Sequence, residues 1–167
     1  SLLNACSNRG DMITNTGIYH LINVMGNYRI DRQKIWKTPT TLVLELFTKH
    51  HKGKILNTSV KTPTFSSPGM GKQPGYKNNN MIDASATYYQ NQICLTVVNK
   101  SEKESLTISI PIHKKIIENY LVNGNSPTDM NDIKNLDKVY IKKNQLNHGA
   151  DYIEAPPHSF SLILLEI

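Results

Sequence analysis

The sequence is poor in the residues that usually announce chemistry or staple a fold. It has two cysteines, Cys6 and Cys94, too few for the disulfide framework of a small secreted domain and without the spacing of a zinc site. They read as free, buried thiols in a reducing compartment, which points to a cytoplasmic protein. Arginine occurs only at Arg9, Arg29 and Arg32, so the net charge of +6 rests on scattered lysines. With no arginine-rich face, nucleic acid is not an expected partner. No apolar run approaches the ~18 residues of a membrane span, and a membrane is not expected either. The N-terminus lacks the basic start and apolar core of a signal peptide. Beginning Ser1-Leu2-Leu3 without a methionine, the chain reads as a fragment.

Catalytic signatures are missing too. There is no GxSxG, HExxH, P-loop or GxGxxG, and Gly69-Met70-Gly71 lacks the strand-to-helix context of a phosphate loop. The glutamates Glu45, Glu102, Glu104, Glu118, Glu154 and Glu166 lie on a helix, in a charged turn and among β segments. None sits at the end of a buried parallel strand, so no acid/base pair for glycoside hydrolysis is evident. His50 and His51 point ~100° apart on a helix and read as capping residues, not metal ligands. Asp129, Asn131 and Asp132 lack the glycine and terminal glutamate of a calcium loop and read as a turn. His158 reads as a strand-entry residue bonded locally. No metal and no cofactor is expected.

What is present describes a globular chain. Over 167 residues, 38% are hydrophobic and 19% charged, which suits one domain, or a small domain with a piece of another. Apolar spacing predicts a helix over about 2–14, stopped at Asn15-Thr16-Gly17. Residues 18–25, Ile-Tyr-His-Leu-Ile-Asn-Val-Met, read as a short strand buried on both sides. A polar loop over 28–37 carries Trp36, the single tryptophan. Thr38-Pro39 starts a helix that runs to about His50, and Gly53 ends it. One buried strand between helices is the grammar of a parallel α/β unit, yet one strand cannot make a sheet.

From Gly53 the period changes to two. Strands are predicted over 55–60, 82–88, 93–99, 106–112 and 115–122, with short ones at 139–141 and 145–146. Residues 66–80 read as a long Gly/Pro/Asn-rich loop and 128–137 as a polar excursion. The chain closes on Pro156-Pro157-His158-Ser159, then Phe160 to Ile167. Both faces of that last segment are apolar after Ser161, so it reads as a doubly buried strand. One face would fill a sandwich core and the other would lie beneath residues 1–52. His20 is polar on a strand read as buried, so it is either a satisfied core histidine or a group at a barrel mouth. Trp36 is either a sugar-stacking platform or a wedge over a barrel end.

The ordered set of segments resembles a family. Leu3-Asn4-Ala5, Arg9-Gly10-Asp11-Met12, Tyr19-His20-Leu21-Ile22-Asn23-Val24 and Trp36-Lys37-Thr38-Pro39-Thr40 resemble the last βα segment of α-L-arabinofuranosidases of glycoside hydrolase family 51. Ile82-Asp83-Ala84-Ser85-Ala86, Leu95 to Lys100, Asn123-Gly124, Asp129-Met130-Asn131, Asn135 to Val139 and Pro156 to Ser159 are similar to that family's C-terminal domain. The resemblance implies a (β/α)8 barrel followed by a jelly-roll-type β-sandwich. It also implies a retaining glycosidase that removes terminal arabinofuranosyl groups from hemicellulose side chains. The family's two catalytic glutamates lie near the fourth and seventh barrel strands, so this chain would begin after both. Residues 18–25 would be the eighth strand and 39–51 the last barrel helix. His20 stands where the family usually has a glutamine near the sugar, a departure from the pattern. Asn23 and Trp36 match family residues.

The resulting expectation is a mainly β chain: an antiparallel jelly-roll-like sandwich over 53–167, preceded over 1–52 by an α/β segment left from a (β/α)8 barrel. It would be the non-catalytic C-terminal portion of an arabinofuranosidase, inactive alone, with no catalytic residue of its own. His20, Asn23 and Trp36 would meet substrate only in the intact parent. Expected partners are the catalytic barrel, an arabinose-containing polysaccharide, and further copies of the chain through exposed helix faces. The rival is a stand-alone carbohydrate-binding module of β-sandwich type. Against it, Trp36 lies outside the sandwich and the tyrosines form no evident row.

Overall fold

A computed structural model describes residues 1–17, 20–110, 115–144 and 152–167. The core is a six-stranded antiparallel sheet. Its strands are β3 (Lys54–Leu56), β6 (Ile82–Tyr89), β7 (Gln92–Asn99), β9 (Lys115–Val122), β10 (Ile141–Lys143) and β12 (Ser159–Glu166), in the spatial order β10-β9-β12-β7-β6-β3. The last strand is therefore central, pairing with β7 through Phe160↔Val98 and with β9 through Phe160↔Val122.

Alternation along β12 sorts the core into two layers. Phe160, Leu162 and Leu164 face one way with Cys94 and Val122. They pack beneath Leu42, Leu46 and Phe47 of helix α2 (Pro39–His50). Ile163 and Leu165 face the other way with Ile82, Ala84, Ala86, Ile93 and Val97. They meet Ile110 beside β8 (Leu106–Ser109) and Ile153 of β11 (Tyr152–Ala155), which form a second, two-stranded antiparallel sheet. This is the expected antiparallel sandwich, and both apolar faces of the closing strand are used as its period required.

Helix α2 forms where its signals place it. Thr38 is the N-cap and its hydroxyl accepts from the Thr41 backbone N–H at 3.4 Å, with Pro39 in the first turn. After the helix, Gly53 takes φ 85°, and a Cβ there would collide with the Tyr88 carbonyl. Glycine is thus required where the chain turns from helix to sheet. The hairpin β6–β7 turns through Gln90 and Asn91, both left-handed (φ 48° and 60°).

Several expectations are corrected. Helix α1 (Leu2–Asn8) stops well short of residue 14, with Arg9 already out of helical geometry ahead of Gly10 and Asp11. The stretch 20–25 is no strand: it makes one isolated bridge, Ile22↔Tyr28, and then turns, with Asn23 and Val24 both left-handed (φ 54° and 50°). Leu21, Ile22, Val24 and Met25 are exposed, because among the described residues this run has no strand partner beyond that one bridge to Tyr28. Residues 28–37 are not a loop but a hairpin, β1 (Tyr28–Asp31) with β2 (Lys34–Lys37), turning at Arg32. The long loop 66–80 likewise contains a hairpin, β4 (Thr64–Ser67) with β5 (Tyr76–Asn80). The strand expected over 55–60 keeps only Lys54–Leu56, and the one over 139–141 lies at Ile141–Lys143. The expectations at 18–19, 111–112 and 145–146 fall outside the described residues.

Candidate functional site

The residues singled out in the sequence lie in the N-terminal unit built from the run 20–27 and the hairpin β1–β2. Asn23 organises it. Its left-handed backbone N–H donates to the Tyr28 carbonyl at 2.8 Å, and its side-chain oxygen accepts from the Ile30 N–H at 2.8 Å. The Asn23 side-chain oxygen is therefore engaged in holding β1. Trp36 lies on β2 opposite Arg29, half-buried, with its indole Nε1 buried and without an acceptor. His20 is half-buried at the start of the unit. The structure thus gathers Asn23 and Trp36 on one small hairpin unit, which docks on α2 through the Thr41 hydroxyl donating to the Asn27 carbonyl.

A second polar constellation lies between the two helices and the sheet. Asn4 of α1 is 1% exposed. Its amide donates to the Asp83 carbonyl at 3.2 Å, and its oxygen accepts from the Thr96 hydroxyl at 2.9 Å, with the Ser85 hydroxyl 3.3 Å away. Ser85 and Thr96 also bond each other at 2.8 Å, and Ser85 bonds His51 Nε2 at 3.0 Å. One consistent proton arrangement has His51 donating to Ser85, Ser85 to Thr96, and Thr96 to Asn4. Burial pushes the His51 imidazole down to about 4, so it is neutral at pH 7. This network ties both helices to the sheet. Its sequence signal was faint: Ser85 and Thr87 alternate with Ala84 and Ala86, placing hydroxyls on the face that the helices cover.

Between α1, residues 13–17 and α2 lies a cleft of about 570 Å³ lined by Leu3, Cys6, Ile13, Val43 and Phe47 among others. With Leu2, Met12 and the run 20–25 exposed nearby in the chain, the N-terminal unit presents unusually much apolar surface.

The remaining candidates are structural. Asp129 accepts from the Asn125 and Ser126 N–H groups and pairs with Lys138 at 2.8 Å, which holds its carboxyl below the ordinary value. Asn131 bonds Val139 through both its amide ends, and Asp132 closes a turn on Lys134 and Asn135. Among the described residues no cluster of three His, Cys, Asp or Glu is placed to hold a metal. His158 is not bonded locally: its ring Nε2 meets the Gly124 carbonyl at 3.1 Å, and its backbone N–H donates to the Ser101 carbonyl at 2.7 Å. Cys6 and Cys94 are both free, and burial raises the Cys94 thiol to about 12.

The fold is shared with solved enzymes. The structure resembles a thermostable family-51 α-L-arabinofuranosidase from Thermotoga petrophila with TM-score 0.85 and 21% identity, covering 99% of this chain and 36% of that one. A family-51 α-L-arabinofuranosidase from Bifidobacterium longum gives TM-score 0.85 at 16% identity, covering 99% and 32%. The arabinose complex of the Thermotoga maritima α-L-arabinofuranosidase gives 0.82 at 21%, covering 95% and 35%. The chain thus spans about a third of the length of these structures. No curated protein matches it in sequence. The family model described as the α-L-arabinofuranosidase C-terminal domain matches residues 1–159, nearly the whole chain. By that match the chain belongs to the α-L-arabinofuranosidase C-terminal domain family.

Proposed function

We propose that this chain is the supporting, non-catalytic portion of an arabinofuranosidase, and that its N-terminal unit completes and seats a catalytic (β/α)8 barrel. The observation that carries this is the exposed run Leu21-Ile22-Asn23-Val24-Met25. Its composition suits a strand buried on both sides, and a barrel would supply the neighbours that the described chain does not. In that setting residues 18–25 become the eighth barrel strand and α2 the last barrel helix, with a boundary to the sandwich near residue 52. His20, Asn23 and Trp36 then stand at the barrel mouth, where the unpartnered indole N–H of Trp36 gains an acceptor. The parent would remove terminal arabinofuranosyl groups from hemicellulose by a retaining mechanism, with both glutamates on the barrel. The free thiols of Cys6 and Cys94 suit a cytoplasmic setting.

The test joins activity to assembly. The 167-residue chain, assayed with an aryl arabinofuranoside, is expected to show no turnover above a denatured control. A separately supplied family-51 barrel lacking this portion is expected to gain activity and thermal stability when co-expressed with it. Turnover by the chain alone, or a barrel indifferent to it, overturns the proposal. Alone, the chain is expected to self-associate through the same apolar face, which light scattering would detect as mass above the monomer.

A further inference from the structure

The exposed run 20–25 is not slack; it is folded into a hook. The Asn23 N–H donates to the Tyr28 carbonyl at 2.8 Å, and the Tyr28 N–H donates to the Leu21 carbonyl at 2.9 Å. The Gly26 N–H donates to the Asn23 carbonyl and closes a tight turn. The Ile30 N–H donates to the Asn23 side-chain oxygen at 2.8 Å. Asn23 is thus a latch, bonded through its N–H, its carbonyl and its side chain. Polar bonds hold the hook, and apolar burial contributes little: Ile22 is 47% exposed and Met25 81%. The hook also keeps two consecutive residues left-handed, Asn23 and Val24. Asparagine tolerates that conformation; a β-branched valine occupies it at a cost. A strand needs extended backbone at both positions. Hook and strand are therefore exclusive states of the same residues.

We propose that residues 20–27 are an assembly-driven switch, a hook latched by Asn23 in the free chain that opens into a strand when a barrel flanks it; this rests on the reading of the run as the eighth barrel strand. The hook satisfies its own polar groups and needs no neighbour. The strand buries the apolar side chains and relieves Val24, but only where strands stand on either side. Each setting thus favours a different one of the two states, and docking shifts the population by the difference. Opening has a second consequence. In the free chain the Asn23 side-chain oxygen is taken by the Ile30 N–H. The opened run releases it at the barrel mouth, so assembly completes the barrel and frees a polar group for the site in one step.

Gly26 separates the two states. A Cβ there would lie 2.8 Å from the Asn23 carbonyl oxygen and from the Ile22 N and carbonyl carbon, all backbone atoms that cannot yield. In a strand, positions three or four residues apart stand about 10–13 Å apart, so alanine fits the strand and not the hook. The full chain and its Gly26→Ala variant are followed by NMR and amide exchange, free and bound to a family-51 barrel lacking this portion. The free chain is expected to show left-handed carbon shifts at Asn23 and Val24 and a slowed Ile30 amide; the bound chain should show extended shifts at both. Gly26→Ala should speed Ile30 exchange in the free chain at least about ten-fold, as should Asn23→Ala. Yet Gly26→Ala should bind the barrel about three-fold tighter or more, because the competing hook is gone. A turn with a merely structural role would make the same variant bind more weakly. Binding that Gly26→Ala weakens or leaves unchanged overturns the switch, as does an Asn23–Val24 pair that stays left-handed in an active complex. Both of those results leave the supporting role of the chain standing. A barrel that does not bind the chain at all overturns that role and the switch with it.

Discussion

Two apolar runs in this chain invite the same reading and meet opposite fates. Residues 18–25 and 159–167 each have too few polar residues for a strand with one wet face. The second is β12, the centre of the sheet, where Leu162 and Ile163 are 0% exposed and Leu165 is 1%. In the first, Leu21 is 61% exposed, Val24 65% and Met25 81%. Hydrophobic period states what a segment requires; it does not state whether partners exist. β12 finds β7 and β9 on its edges, α2 above it and the β8–β11 sheet below. The run 20–25 has one bridge to Tyr28 and then turns back on itself.

The largest expected effect tests the buried member. Leu162→Ala removes a side chain packed under Leu42, Leu46 and Phe47 and leaves a cavity that the sheet cannot close. The expected loss is about 3–5 kcal/mol in urea unfolding, near the top of the range for leucine truncation. A loss under about 1 kcal/mol would mean that β12 is not the central strand, and the contrast between the two runs would collapse.

The next effect tests what covers β12. His51 packs against Phe47 at 4.6 Å between ring centroids, and Phe47 lies 5.8 Å from Phe160. The imidazole titrates near 6.5 unfolded but at about 4 folded. Below pH 6.5 the unfolded chain gains a proton that the folded chain refuses, so stability falls as pH drops from 6.5 to 4 and levels off below. The full shift corresponds to about 3 kcal/mol, and screening of a half-buried ring brings it to about 2 kcal/mol. Urea midpoints across this window should slope accordingly, and His51→Gln should flatten that slope. An unchanged slope in the variant would show that His51 is not the buried group that refuses the proton.

Local signals explain which elements could be read in advance. Thr38-Pro39 and Gly53 bound α2 by cap chemistry, and β6, β7 and β12 carry strong β-branched or alternating patterns. The hairpin β1–β2 escaped because it turns at Arg32 without the Asn-Gly or Gly signature of a two-residue turn. The hairpin β4–β5 escaped because Tyr76-Lys77-Asn78-Asn79-Asn80 is polar throughout and buries almost nothing. The tether of Asn4, Ser85, Thr96 and His51 joins positions up to 92 residues apart, and each residue alone looks ordinary. Asn23 and Trp36 were visible as unusual residues, but their shared hairpin was not.

A smaller effect turns on backbone strain in the exposed run. Val24 holds φ 50°, a left-handed conformation that a β-branched residue occupies at a cost. With so little packing around it, Val24→Gly should stabilise the isolated chain by about 1 kcal/mol. The same replacement at a β12 position, such as Ile163→Gly, should do the opposite. If Val24→Gly destabilises the chain, the run is held by contacts that its exposure does not reveal.

The smallest effect is the sharpest test of the comparison, because it requires near silence. Leu21→Ser alters a leucine that is 61% exposed and should change the stability of the isolated chain by under about 0.5 kcal/mol. Leu162→Ser, a like chemical change in the other run, should be ruinous. Leu21→Ser should nonetheless reduce self-association in light scattering, since it breaks the apolar face that the chain presents. Joined to a barrel, the same substitution should become costly, because the eighth strand would then be buried on both sides. A substitution silent alone and damaging in the assembly locates the missing partner of the run. If it proves equally silent in both settings, residues 18–25 are not a barrel strand and the apolar face needs another occupant.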